Sequence, residues 1–122
     1  MATRTLAEQL TVDEVLAELA ALEDPKIREV NQRHGNDIGV NLSKLRGIAK
    51  RLKTQHDFAK ELWATGDAQA RLVAILISSP TKYTAEEMDV MLREARVPKV
   101  LDWLVNYIVK RTRNPKTGVS RG

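Results

Sequence analysis

The chain has no cysteine, and only 4% of its 122 residues are aromatic. The first absence excludes disulfides and thiolate chemistry, and it fits a cytosolic protein. The second means a core built from Leu, Val, Ile and Ala rather than from rings. No apolar run reaches the length of a bilayer span. The first residues lack the basic-then-apolar pattern of a secretory leader, so a cytoplasmic location is expected. The two histidines, His34 and His56, are far apart and have no partner at ligand spacing, so no metal site is expected. Glycine-rich phosphate loops, Walker patterns and dinucleotide fingerprints are missing too, and no cofactor is expected. No stretch alternates polar and apolar residues for long enough to make a strand.

What is there is charge in blocks. Residues 1–30 carry three basic and seven acidic side chains, and residues 31–60 carry seven basic and two acidic. Residues 61–90 carry two basic and five acidic, and residues 91–122 eight basic and two acidic. Two basic segments therefore alternate with two acidic ones within a net charge of +4. Brought to one surface, the basic segments would present a cationic strip to a polyanion. Left apart, they are the solvated faces of ordinary helices.

Helix punctuation is dense. Thr11-Val12-Asp13-Glu14 and Thr84-Ala85-Glu86-Glu87 have the form of capping boxes. Asp24-Pro25 is a cap followed by Pro at the first helical position, and Gly35 stops that helix after His34. A loop over 35–40 leads to a third helix from Leu42 to Lys53. Asp57 opens a fourth helix that Gly66 stops, Asp67 caps a fifth that Pro80 breaks, and Pro98 opens a seventh reaching Thr112. Seven helices with short links predict an all-α fold of stacked antiparallel pairs, a right-handed HEAT-like solenoid. Residues 1–112 form one domain in this reading, and 113–122 a flexible basic tail. Leu16, Leu19, Leu45, Leu52, Leu62, Leu72, Leu76, Leu92, Leu101 and Leu104 are expected in the core.

Two helices carry candidate binding residues. On the third, Arg46, Lys50 and Lys53 form a stripe beside the apolar face of Leu45, Ile48, Ala49 and Leu52. A stripe at this spacing can touch successive phosphates. On the seventh, Lys99, Asp102, Asn106 and Lys110 share a polar face opposite Leu101, Leu104, Val105 and Ile108. A solvated Lys99–Asp102 pair near a helix start explains that acid as well as chemistry would. Val100, Trp103 and Tyr107 make a second apolar shoulder. Left exposed, Trp103 and Tyr107 would offer a surface for self-association.

Three short pieces in order, Gly39-Val40-Asn41-Leu42-Ser43-Lys44-Leu45-Arg46, Glu61-Leu62-Trp63 and Ala70-Arg71-Leu72-Val73-Ala74, resemble the DNA alkylation repair family of helical-repeat alkylpurine glycosylases. The resemblance runs to about Thr112. It implies a basic concave surface holding double-stranded DNA. Arg46, Lys50, Lys53, Arg71, Lys99, Lys110, Arg111 and Arg113 are the expected contacts. It also implies hydrolysis of the N-glycosidic bond of cationic alkylated purines, with a carboxylate to offset oxocarbenium charge. The family carries that carboxylate at the end of a Trp-Asp-x-x-Asp pattern. A gap-free alignment from Met88 to Thr112 sets it on Asp102, with Pro98 where the Trp belongs and Lys99 where the first Asp belongs. One catalytic element of the set is thus retained. A DNA-binding relative with weak or lost glycosylase activity, an active glycosylase and a protein-interaction scaffold all fit this pattern.

Overall fold

A computed structural model describes residues 11–110, and among them the chain is all-α, with seven helices and no strand. They are α1 (Val12–Ala21), α2 (Pro25–Arg33), α3 (Leu42–Leu52), α4 (His56–Ala64), α5 (Ala68–Ile77), α6 (Ala85–Glu94) and α7 (Pro98–Trp103). Pro80–Lys82 form one tight turn of 3-10 helix. Beyond Trp103, α7 continues as wider π-helical turns over Leu104–Val109. Arg111, Arg113 and the tail of 113–122 lie outside the described residues.

Local chemistry sets the helix ends. The Thr11 hydroxyl accepts from the Glu14 N–H at 3.1 Å, and the Glu14 carboxylate accepts from the Thr11 N–H at 2.8 Å. Thr84 and Glu87 repeat this exchange at 3.0 and 2.9 Å. Each box satisfies two donors that a helix start leaves free. Gly35 and Gly66 sit at φ +79 and +80, where a Cβ is costly.

α5 is the axis of the fold. Eight of its ten residues are buried, and it packs on α1, α3, α4 and α7. A helix apolar all round must be enclosed. The outer helices differ. α2 has no buried residue, and α6 has one, Met91.

The loop before α3 is more deeply placed than a connection should be. Ile38 and Val40 are buried, and polar contacts knit the backbone around them. The Gly39 N–H donates to the buried side-chain carbonyl of Gln69 at 2.7 Å, and the Gly39 carbonyl accepts from the Asp24 N–H at 2.7 Å. Asn31 donates its amide to the Ile38 carbonyl at 2.9 Å. Arg28 reaches both Glu23 and Asp37. Its hydrogen bond holds the Glu23 carboxyl below the usual carboxylate range, against a smaller upward push from burial. Asn36 accepts from the Lys99 N–H at 2.7 Å, so it caps α7 from a distant part of the chain.

Six of the ten expected core leucines are buried, and Leu16, Leu76 and Leu92 are partly so. Leu101 is not: it is 40% exposed. The inner face of α7 is Val100, Trp103, Leu104 and Ile108. The whole wheel is therefore turned toward the shoulder that a 100° periodicity sets aside. Trp103, expected at the surface as a self-association contact with Tyr107, is 4% exposed. It is spent on packing within the chain, and Tyr107 is half-buried beside it.

Candidate nucleic-acid interface

The stripe read from α3 lines a shallow hollow open to solvent. Arg46, Lys50 and Lys53 are all exposed, and they wall a hollow of 420 Å³ together with Thr54, Leu76 and Tyr107. A second hollow, of 520 Å³, shares Thr54, Leu76 and Tyr107 and continues past Ile75 to Ser78, Pro80 and Thr81. The two make one groove at the C-terminal ends of α3 and α5. Among the described residues no carboxylate lines either hollow. Lys50 and Lys53 have no ion-pair partner among the described residues.

Arg46 is held in place. Its guanidinium donates to the Tyr107 hydroxyl at 3.1 Å and lies over the Trp103 ring, 4.9 Å from the centroid. Trp103 and Tyr107 meet edge to face, with centroids 5.5 Å apart. The attraction of a cation for a ring face fixes a side chain that would otherwise sweep through solvent.

Lys53 is strained. It follows α3 at φ 62 and ψ −170, a region that is essentially glycine's own. Its N–H still closes on the Ala49 carbonyl at 2.8 Å, so the helix ends in good order and the side chain bears the cost. Strain of this kind persists where surrounding contacts impose it, and it gathers at binding and catalytic sites.

The other expected contacts fall elsewhere. Arg71 lines a cavity of 540 Å³ at the opposite end of α5. Its guanidinium donates to the Trp63 carbonyl and the Glu94 carbonyl, both at 3.0 Å, and stacks 4.6 Å from the Trp63 ring centroid. The Trp63 ring N–H in turn donates to the Glu94 carboxylate at 2.6 Å. Lys99 lies at the start of α7, half-buried, where Asn36 accepts its N–H. Lys110 is exposed just past the π-helical turns.

Asp102 is exposed, and it lines neither hollow of the groove. Its carboxylate accepts from the Asn106 amide at 3.0 Å rather than pairing with Lys99. Tyr107 occupies the groove instead. Helical periodicity sets Tyr107 on the second apolar shoulder, as a self-association contact rather than a groove residue. The available signal was its spacing of four from Trp103, the same interval that separates Trp from the last Asp in the family pattern.

His56 is the first residue of α4, one residue ahead of the start expected at Asp57. Its Nδ1 accepts from the Ser79 N–H at 3.2 Å, and its ring meets Tyr83 edge-on at 4.5 Å. Burial, helped by Lys60 and Lys82, pushes its pKa down. Among the described residues no group of three His, Asp or Glu side chains is arranged to hold a metal, and no helix is long and apolar enough to cross a membrane.

Among the described residues the fold is all-helical, with a cationic groove at one end of its central helix. The family described as DNA alkylation repair enzyme matches residues 15–117, most of the chain. The chain belongs to that family. No curated protein and no solved structure matches it significantly.

Proposed function

We propose that this chain binds double-stranded DNA and performs no glycosidic hydrolysis. The observation that carries the reading is the make-up of the groove among the described residues: three cations without an anionic partner, one of them on strained backbone, and no carboxylate. Departure of an alkylated base leaves positive charge on the sugar, and a carboxylate must stand near it to be of use. Set on Trp103 instead of Pro98, the family's Trp-Asp-x-x-Asp pattern ends at Tyr107. A neutral phenol offers a donor and lone pairs but no charge to offset. Asp102, the alternative, points its carboxylate to Asn106.

Arg46, Lys50 and Lys53 supply the phosphate contacts, with Lys110 just past the π-helical turns as a further one, and Arg111 and Arg113 are assigned the same role from the sequence alone. Arg71 and Lys99 belong to the frame in this reading. The right-handed stacking of helix pairs goes with the same proposal. Three phosphate contacts imply an affinity that falls with salt at a slope of about −0.9 for each.

The test is one incubation with methylated duplex DNA, read two ways. Electrophoresis should show a shifted complex at low salt, and chromatography should show no released alkylpurine. Changing Arg46, Lys50 and Lys53 together to Glu should weaken the complex more than about tenfold at low salt. Base release that disappears in Asp102→Asn would establish the active-glycosylase reading in its place. A wild-type protein that shifts no DNA at low salt would remove DNA binding altogether.

A further inference from the structure

The groove is divided, and the division has a chemical sense. One hollow is cationic, with Arg46, Lys50 and Lys53. The other carries no charged side chain among the described residues: it is lined by Ile75, Leu76 and Pro80 with Thr54, Ser79 and Thr81, and by Ser78, whose hydroxyl is bonded to the Ile75 carbonyl. Tyr107 lines both. The hollows measure 420 and 520 Å³ and both are open to solvent. A charged phosphate suits the first. A flat, largely apolar ring with polar edges suits the second. A nucleotide has these two parts joined by a sugar.

An intact duplex cannot supply that pair. Its bases are stacked and paired inside, so a phosphate on α3 would leave the second hollow empty. Filling it would require unstacking and unpairing a base, which is costly. A single strand has its bases free. Tyr107 is also ready for a base: Arg46 fixes its hydroxyl and Trp103 meets its ring edge-on, so little freedom is lost when a base stacks.

We infer that the groove holds one unpaired nucleotide of single-stranded nucleic acid, its phosphate on the α3 cations and its base against Tyr107 in the hydroxyl-lined hollow. This rests on the reading of the groove as a nucleic-acid interface and narrows what enters it. The base hollow lacks charged groups, so its selectivity is for shape and stacking rather than for one base.

The experiment is fluorescence anisotropy at low salt. It compares labelled oligothymidylate with a duplex of the same length on the full chain. The single strand should bind about tenfold more tightly or better, the duplex having to unpair to fill the same site. Tyr107→Ala should weaken single-strand binding by about five- to a hundredfold, the range of one base–aromatic contact. Tyr107→Phe keeps the ring and loses only the Arg46 bond, so it should stay within about threefold of wild type. Equal affinity for the two ligands, or preference for the duplex, overturns the inference and leaves groove binding intact. Loss in Tyr107→Phe as large as in Tyr107→Ala overturns it as well, because Tyr107 would then act by holding Arg46. Binding of neither ligand removes both readings. The strand preference of the unaltered protein decides the matter even if Tyr107→Ala does not fold.

Discussion

The two ends of α5 treat polar groups in opposite ways. At the N-terminal end, Arg71 spends its donors on two main-chain carbonyls and a ring face, Glu94 takes the Trp63 N–H, and Gln69 takes the Gly39 N–H. At the C-terminal end, Lys50 and Lys53 face a groove without an anion, and Lys53 sits on backbone fit for glycine. The satisfied end is frame, and the unsatisfied end is where the proposed ligand would have something to add. The pieces that carry the family resemblance lie chiefly in the frame. Trp63 and Arg71 stack on one another, and Gly39 hangs from Gln69. A likeness carried by such residues reports a shared fold, and the chemistry of the groove must be judged separately.

Mutation can test that division. The largest effect should come from Trp63→Ala. It removes a 6% exposed ring from between α4, Arg71 and Glu94 and should cost about 3–5 kcal/mol in urea denaturation. A loss below about 1 kcal/mol would mean that the frame is not centred there. Gln69→Leu should come next. It strands the buried Gly39 N–H at a cost of about 1–3 kcal/mol. Hydrogen exchange should quicken at Gly39 first.

Lys53→Gly sharpens the contrast because its two effects have opposite signs. Relief of the strained backbone should raise stability by about 1–3 kcal/mol. The same change should weaken nucleic-acid binding and flatten the salt slope by about 0.9. Stability and binding falling together would show that Lys53 belongs to the frame.

The smallest effect is a pH dependence through His56. Its folded pKa is depressed, so below the unfolded value of about 6.5 the unfolded chain binds the extra proton more readily. The contribution is whole above that value and is lost as pH falls through the folded pKa. His56→Gln should flatten stability against pH in that window. An unchanged slope would place the titrating group elsewhere.

How far the sequence carries depends on how local each signal is. The two capping boxes, the Asp24 and Asp67 caps and the glycine stops at Gly35 and Gly66 act within one turn, and each appears where expected. The α3 stripe is legible for the same reason, since one helix fixes its spacing. The buried loop around Ile38 is not legible, because the contacts that hold it come from Gln69 and Asn31 across the fold. Tyr107 is missed for two reasons. Its partner Arg46 is 61 residues away, and the π-helical turns break the periodicity used to sort α7 into faces. Leu101 is misassigned because Val100 and Trp103 beside it take the inner face.

The Asn36 cap has a consequence in time. Val97, the residue before α7, has no side chain able to cap, and the acceptor stands 63 residues earlier at Asn36. Translation at about 5–20 residues per second separates their synthesis by roughly 3–13 s. In the later part of that interval, once α5 (Ala68–Ile77) has been made, α2 and its loop can be in place while the side of α5 that α7 will cover stays bare. A nascent chain is then most open to wrong partners. Its last described helix arrives at a cap already built, so docking needs one encounter rather than the search for a new turn.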